Sequence, residues 1–207
     1  MSFSSTERAR LASLLLELGP DAPTLCEGWD TRALAAHLWV RERRPVAAAG
    51  MFVPALAPML KRDMAAARAR DYEQLVMEWG SGPTNPVARL VDRKINAAEH
   101  FVHLEDVRRA NGMTQPREFS QVTQDAMEGI CSMLAPRILR KSEAPVILFP
   151  KGRARIVAVD RHGVSKDGGN VVRVMGTVPE LLLWLYGRSP VEVKVEGPAD
   201  KVVRSSI

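Results

Sequence analysis

The hydrophobic pattern of this chain changes its period once, and that change divides the sequence into two parts. Up to about residue 141, apolar residues recur at the three- and four-residue spacing of amphipathic helices. After residues 142–145, short runs rich in valine and isoleucine alternate with turn signals, which is typical of β-strands. We therefore predict an α+β chain, with a helical domain over 1–142 and a small α+β domain over 146–207.

Capping residues and prolines predict the ends of the first two helices. Ser4 followed by Glu7 is a capping-box pattern, and it predicts the start of the first helix. Asp30 is a good N-cap for a second helix, which should run to about Arg43 because a proline follows at position 45.

Three further helical segments complete the first part. They are predicted over residues 61–79, 86–110 and 120–141. The inward face of the last one is predicted to consist of Val122, Ala126, Ile130 and Leu134. Of these five segments, four main helices predict an up-down four-helix bundle, whose core is a natural place for metal ligands from facing helices.

The second part predicts four short strands and one helix. The strands are predicted over residues 146–149, 154–159, 171–175 and 191–195, and the helix over 179–186. This mixture predicts a small α+β domain.

Two histidines and a glutamate suggest chemistry in the helical part. Glu99 and His103 are four residues apart, so they lie one turn apart on the same face of the predicted helix 86–110. His37 lies on the helix that starts at Asp30, flanked by apolar residues. A His/Glu/His set suits a divalent transition metal with an open coordination position, although each residue alone is compatible with a core or surface role.

Asp106 is one turn beyond His103 and could orient that imidazole as a hydrogen-bond acceptor behind the metal. The competing interpretation is an ion pair of Asp106 with Arg108 or Arg109. His100 is about 100° around the helix from Glu99 and should point elsewhere.

Three short motifs carry a resemblance to a known family. They are residues 24–30 (Thr-Leu-Cys-Glu-Gly-Trp-Asp), residues 35–38 (Ala-Ala-His-Leu) and the spacing Glu99-x-x-x-His103-x-x-Asp106. Together they resemble the N-terminal domain of mycothiol-dependent maleylpyruvate isomerase and its relatives, over most of residues 1–141. The segment 179–188 resembles the small C-terminal domain found in that family.

The resemblance implies a DinB-like four-helix bundle with a divalent metal, usually zinc, held by His37, Glu99 and His103. It also implies mycothiol as a thiol cosubstrate and a thiol-dependent isomerisation or S-transfer. The isomerase pattern has a second histidine directly after the ligand equivalent to His103, whereas this chain has Leu104.

The preferred hypothesis is a metal-dependent enzyme in which a metal-bound water or thiolate is the nucleophile. Zinc is the first choice of metal, and nickel, iron or manganese would also fit these ligands. The alternative hypothesis is a metal-binding or small-ligand-binding protein without catalytic turnover, which the missing second histidine favours.

Charge favours a small anionic substrate over nucleic acid. The net charge is +5, but the basic residues are scattered, apart from a cluster of Arg41, Arg43 and Arg44. Residues 146–207 hold 10 Lys/Arg against 6 Asp/Glu. Arg188 in this region is the candidate for a bidentate contact with a substrate carboxylate, although a solvated turn arginine is the competing role.

The sequence also predicts a cytoplasmic protein. Its two cysteines, Cys26 and Cys131, form no disulfide framework. Its longest apolar stretch, 46–60, is broken by glycine and proline and cannot span a membrane. Cys26 could be a reactive thiol near the site or a buried small hydrophobe. The oligomeric state is left open.

Overall fold

A computed structural model describes residues 2–83, 86–160, 170–189 and 191–205, and for residues 86–95 it describes the backbone alone. The contacts of the chain group into two compact units, Met1–Thr114 and Gln115–Ile207. The first unit is helical, and the second combines helices with a four-stranded sheet, so the predicted α+β class is confirmed.

Six α-helices belong to the described part of the first unit. They are α1 (Phe3–Leu18), α2 (Thr31–Arg43), α3 (Pro45–Ala48), α4 (Ala57–Arg68), α5 (Tyr72–Gly80) and α6 (Pro86–Ala110). Short 3₁₀ turns at Ala49–Met51 and Pro54–Leu56 join α3 to α4. No helix among the described residues is both long and apolar enough to cross a membrane.

The helix starts show which capping predictions hold. Asp30 caps α2 as expected, because its Oδ1 accepts a hydrogen bond from the backbone N–H of Ala33. The prediction for α1 was wrong by two residues. Ser2 is the N-cap and accepts from the N–H of Ser5, while the hydroxyl of Ser4 is buried and contacts His100 instead.

The predicted single helix over 61–79 is interrupted in its middle. α4 ends at Arg68, and α5 begins after Asp71, whose carboxylate accepts from the N–H of Gln74. Aspartate at an N-cap satisfies a backbone N–H that would otherwise lack a partner, so it starts a new helix where periodicity alone suggests continuity.

The core of the first unit is built by five of its helices. α1 packs against α6, and both α1 and α2 pack against α5, with α4 beside α2. The cluster contains fully buried leucines at 11, 15, 34 and 75 together with Trp79. The C-terminal half of α6 is buried around nearly its whole circumference, including polar residues at positions 100, 103, 105 and 106.

One carboxylate links four helices of this unit. Glu42 on α2 forms a 2.8 Å ion pair with Arg8 of α1, and its Oε1 accepts from Trp79 Nε1 of α5 at 2.9 Å. The same Oε1 lies 3.2 Å from Nε2 of His100 on α6. A buried charge is tolerated when it is paired and hydrogen-bonded in this way.

The second unit contains two helices and a mixed sheet. The helices are α7 (Gln121–Ile138) and α8 (Val178–Leu185), and the strands are β1 (Val146–Pro150), β2 (Ile156–Val159), β3 (Val172–Gly176) and β4 (Val193–Glu196). The strand order is β2-β1-β3-β4; β1 and β3 are parallel, and the two outer pairs are antiparallel. Every residue of α8 is buried.

The packing places α7 in the second unit, whereas the sequence predicted that it belongs to the bundle. α7 contacts α8 and β2, and the contacts of the chain group into units that meet after Thr114, while the predicted domain boundary near residue 142 stays a prediction. The predicted inward face of α7 was wrong: Val122 is 78 % exposed, and the buried residues are Met127, Cys131, Ala135 and Ile138. One helix can carry two apolar stripes that differ by one residue in register. The element that packs against the helix then determines which stripe is buried.

We expect Glu42→Gln to lower the free energy of unfolding by about 3 kcal/mol, because it removes the charge that pairs with the buried guanidinium of Arg8. Neighbouring His100 and Arg8 outweigh the effect of burial and lower the pKa of Glu42 below 4.5. In the wild type this stability is therefore present above pH 4.5 and is lost as the pH falls through the lowered pKa of the folded state.

Urea unfolding at several pH values would measure both effects. The matched control is Glu17→Gln, an exposed carboxylate on α1, which should change stability by less than about 0.5 kcal/mol. Equal effects of the two substitutions would contradict the importance assigned to Glu42.

Candidate metal centre

α2 presents His37 towards α6. The ring of His37 is half-buried, and its centroid lies 5.5 Å from that of His103 in an edge-on arrangement. On its other side the indole of Trp29 lies 4.9 Å away, centroid to centroid. Trp29 comes directly before the N-cap of α2, so the start of the helix and the placement of this ring are linked.

α6 presents Glu99 and His103 one turn apart, as the spacing predicted. His103 Nε2 lies 3.6 Å from Glu99 Oε2. Ligand-type atoms of His37, Glu99 and His103 all lie within 4.8 Å of one another. The structure thus brings the three sequence-predicted residues together from two helices.

Behind His103 lie Asp106 and Cys26. Nδ1 of His103 is 3.1 Å from Asp106 Oδ2, and the Cys26 thiol donates to the same oxygen at 3.2 Å. Asp106 is fully buried, and Arg108 and Arg109, its predicted alternative partners, both pair with Glu105. Cys26 Sγ lies 3.7 Å from His103 Nδ1, so the cysteine lies beside the site rather than in an apolar core.

Arg41 is a site neighbour that the sequence reasoning missed. Its Nε lies 3.6 Å from Glu99 Oε2, and its Nη1 donates to Asn96 Oδ1. The available signal was its position four residues after His37 on the same helix, which puts both side chains on one face.

The charge states of His37 and Glu99 suit metal binding. Burial lowers the pKa of His37 to about 3, assisted by nearby His103 and Arg41, so its imidazole is neutral at pH 7. Burial alone would raise the pKa of Glu99, but the hydrogen bond with His103 and the charge of Arg41 outweigh it and hold that pKa at about 2. A neutral imidazole and an ionised carboxylate are the forms that bind metals.

The pKa of His103 is shifted in the opposite direction from that of His37. Burial would lower the pKa of its imidazole, but hydrogen bonds with Asp106, Cys26 and Glu99 raise it well above 6.5. In the metal-free protein His103 is therefore a cation between two carboxylates. A metal at Nε2 has to displace a proton from this nitrogen.

The donor set fits a divalent metal. Bond lengths of about 2.0–2.2 Å in a tetrahedral site imply ligand atoms roughly 3.3–3.6 Å apart, which agrees with the distance between His103 and Glu99. The Nδ1 partner also fits, because metal-bound histidines usually donate their second N–H to a carboxylate. Among the described residues, Cys26, His103 and Asp106 form a second group of ligand-type atoms with the same mutual spacing.

His100 lies apart from this set. His100 is fully buried, with Ser4 at its Nδ1 and Glu42 at its Nε2, so it points away from the Glu99 face as predicted. His162, which the sequence leaves out of the ligand set, falls outside the described residues.

Arg188 lies in the second unit, just after α8. Its Nη1 donates to the carbonyl oxygen of Tyr186 at 2.6 Å, and its side chain is partly buried. Its assignment as a substrate contact stays a prediction.

A groove of about 530 Å³ lies on a different face of α2. It is lined by Trp39, Arg44, Arg62, Asp63, Ala66, Ala67, Arg70 and Glu78. Trp39 is two residues from His37, which is about 200° around the helix, so this groove is separate from the candidate metal centre. Its cations are largely matched by acidic groups, since Arg62 pairs with Asp63 and Arg70 with Glu78.

Comparisons with known proteins support the fold. No family model matches the sequence, and neither does any curated protein. The crystal structure of the mycothiol-dependent maleylpyruvate isomerase is similar, with a TM-score of 0.58 and 15% identity over 98% of this chain and 92% of that one. A histidine-to-alanine mutant of that isomerase matches at 14% identity with the same TM-score and coverage. The chain therefore has the fold of this isomerase, with its N-terminal helical domain.

We expect about one divalent metal per chain in protein purified without a metal-affinity tag. His37→Ala, Glu99→Ala and His103→Ala should each lose it, because three protein ligands leave little affinity when one is removed. Elemental analysis gives the stoichiometry.

His100→Ala is the matched control and should keep the metal, although it loses its contacts with Ser4 and Glu42 and should melt at a lower temperature. The metal centre is refuted if the wild type carries no metal and added zinc or nickel leaves its melting temperature unchanged.

We expect metal binding to release one proton, so that the apparent metal affinity depends on pH. His37 is already neutral and Glu99 already ionised at pH 7, whereas His103 must first lose its proton. Apparent affinity should rise about tenfold per pH unit from about pH 6 up to the raised pKa of His103. Chelator competition at several pH values measures this, and a flat or two-proton dependence would contradict it.

Proposed function

We propose that this protein is a metal-dependent enzyme that uses a thiol cosubstrate, mycothiol, in an isomerisation or S-transfer reaction on a small anionic molecule. The observation that carries the proposal is the His37/Glu99/His103 set in the fold of a mycothiol-dependent isomerase. Three protein ligands are typical of catalytic sites, because they leave a coordination position for substrate. Zinc is the proposed metal, and nickel, iron or manganese suit the same ligands.

When bound, such a metal would lower the pKa of a coordinating thiol and so supply a nucleophile at neutral pH. The chain's own residues prepare the site for this. His37 offers a neutral nitrogen, Glu99 offers a carboxylate that is ionised throughout the physiological range, and Asp106 holds the ring of His103 by its Nδ1.

Arg41 supports an anionic substrate. Its guanidinium lies beside the ligand set, next to Glu99, and is partly open to solvent. A guanidinium in this position would attract a carboxylate towards the ligand set. Arg188 remains a proposed substrate contact.

One observation favours a different function, a metal-binding protein that does not catalyse turnover. Leu104 occupies the position where the isomerase pattern has a second histidine, and its side chain is buried in the apolar core. An alkyl side chain cannot transfer protons. If the second histidine is needed for turnover, this chain would bind metal and thiol without completing the reaction.

Thiol binding and turnover are therefore measured separately. With zinc-loaded protein at pH 7, we expect added mycothiol to show thiolate absorbance in the near ultraviolet. We also expect either isomerisation of maleylpyruvate or thiol consumption with small electrophilic carboxylates. His37→Ala should reduce both by at least about 100-fold, because the Lewis acid contributes several kcal/mol.

His100→Ala again serves as the control and should retain thiolate formation. Thiolate formation without turnover on any tested substrate would support the binding function instead. If zinc is bound and no thiolate forms, the thiol-dependent proposal is refuted.

A further inference from the structure

We propose that Cys26 is a positioning residue for the metal ligand His103. The thiol would hold the Asp106 carboxylate that in turn orients the imidazole with Nε2 towards His37 and Glu99. This inference rests on the proposed metal centre and assigns a role to a residue outside the His/Glu/His set.

The distances define a chain of contacts from the thiol to the metal ligand. Cys26 Sγ donates to Asp106 Oδ2 at 3.2 Å, and the same oxygen lies 3.1 Å from His103 Nδ1. An ionised carboxylate oxygen can accept two such bonds, one from S–H and one from N–H.

The loop that carries Cys26 is also hydrogen-bonded to the backbone of Asp106. The backbone N–H of Leu25 donates to the carbonyl oxygen of Asp106 at 3.2 Å. Cys26 N–H donates to the hydroxyl of Thr24 at 3.1 Å, and that hydroxyl donates to the carbonyl oxygen of Trp29 at 2.9 Å. These bonds hold the backbone of Cys26 in a defined position next to Asp106.

A tight turn explains why the motif has this sequence. Trp29 N–H donates to the carbonyl oxygen of Cys26 at 3.0 Å, and Gly28 between them has a φ of 75°. A positive φ at the third position is the type II arrangement that glycine favours. The turn directs Cys26 to the network behind His103 and Trp29 to the ring of His37, so one loop contacts both candidate histidine ligands.

The rival role for Cys26 is direct metal ligation. Its sulfur, His103 Nδ1 and Asp106 Oδ2 lie close enough together to bind an ion. In that arrangement the metal would bind Nδ1 of His103 instead of Nε2, and His37 and Glu99 would not be ligands. We favour positioning because Nε2 is the nitrogen that faces Glu99 and the separation of Nδ1 from Asp106 is that of a hydrogen bond.

Metal affinity tests the positioning role. We expect Cys26→Ala to weaken zinc binding by about ten- to hundredfold in chelator competition, the range typical of partners behind a ligand. Cys26→Ser should restore affinity to within about threefold of the wild type, since a hydroxyl can donate to the same oxygen. The matched control is Cys131→Ala in the second unit, which should leave zinc affinity unchanged.

Cobalt substitution distinguishes the two roles of the sulfur. The Co²⁺-loaded wild type should show no intense thiolate-to-cobalt band in the near ultraviolet, and its visible spectrum should be the same in Cys26→Ser. A thiolate band that disappears in Cys26→Ser would overturn the positioning role in favour of ligation. Wild-type zinc affinity in Cys26→Ala would overturn it as well.

A metal-free measurement keeps this inference separate from the proposed function. The imidazole N–H resonance of His103 should move in Cys26→Ala and stay in place in Cys131→Ala, whether or not metal is bound. A resonance unmoved by Cys26→Ala would refute the contact. Failure of the wild type to bind zinc, with the resonance still moved, would refute the metal-dependent function alone.

Discussion

The carboxylate of Glu42 determines how the helices of the first unit fit together. It is buried, so it requires partners, and its partners come from α1, α5 and α6. The contact with His100 joins one side of α6 to this carboxylate. Glu99 and His103 lie on the adjacent side of α6, where α2 presents His37. The buried polar cluster and the candidate metal centre are thus neighbours on the same two helices.

Local sequence signals predicted the elements well where one physical cause dominates. Asp30 as a cap, the glycine and proline breaks, and the β-type alternation after Pro145 all had their expected effect. The failures arose where tertiary contacts decide. The buried face of α7 depends on its contacts with α8 and β2, and Ser4 contacts His100 instead of capping α1. No local pattern encodes those contacts.

Of the candidate site too, one part could be predicted from local sequence and another part could not. Helical spacing predicted that Glu99, His103 and Asp106 share one side of α6, and His37 was proposed from its position among apolar residues on α2, with support from the motif resemblance. Arg41 was missed although it lies one turn after His37 on the same helix. The contact of Cys26 with Asp106 could not be predicted, because it depends on how a loop meets α6. The comparison with the isomerase structures, at 14–15% identity, shows that the fold tolerates extensive change in sequence.

The raised pKa of His103 also describes how the candidate site is charged without a metal ion. With a proton on its ring, His103 is a cation between the carboxylates of Glu99 and Asp106. A metal ion at the proposed site would take the place of this positive charge. Under the proposed function, binding would therefore exchange a proton for an ion while the same two carboxylates stay on either side of the ring.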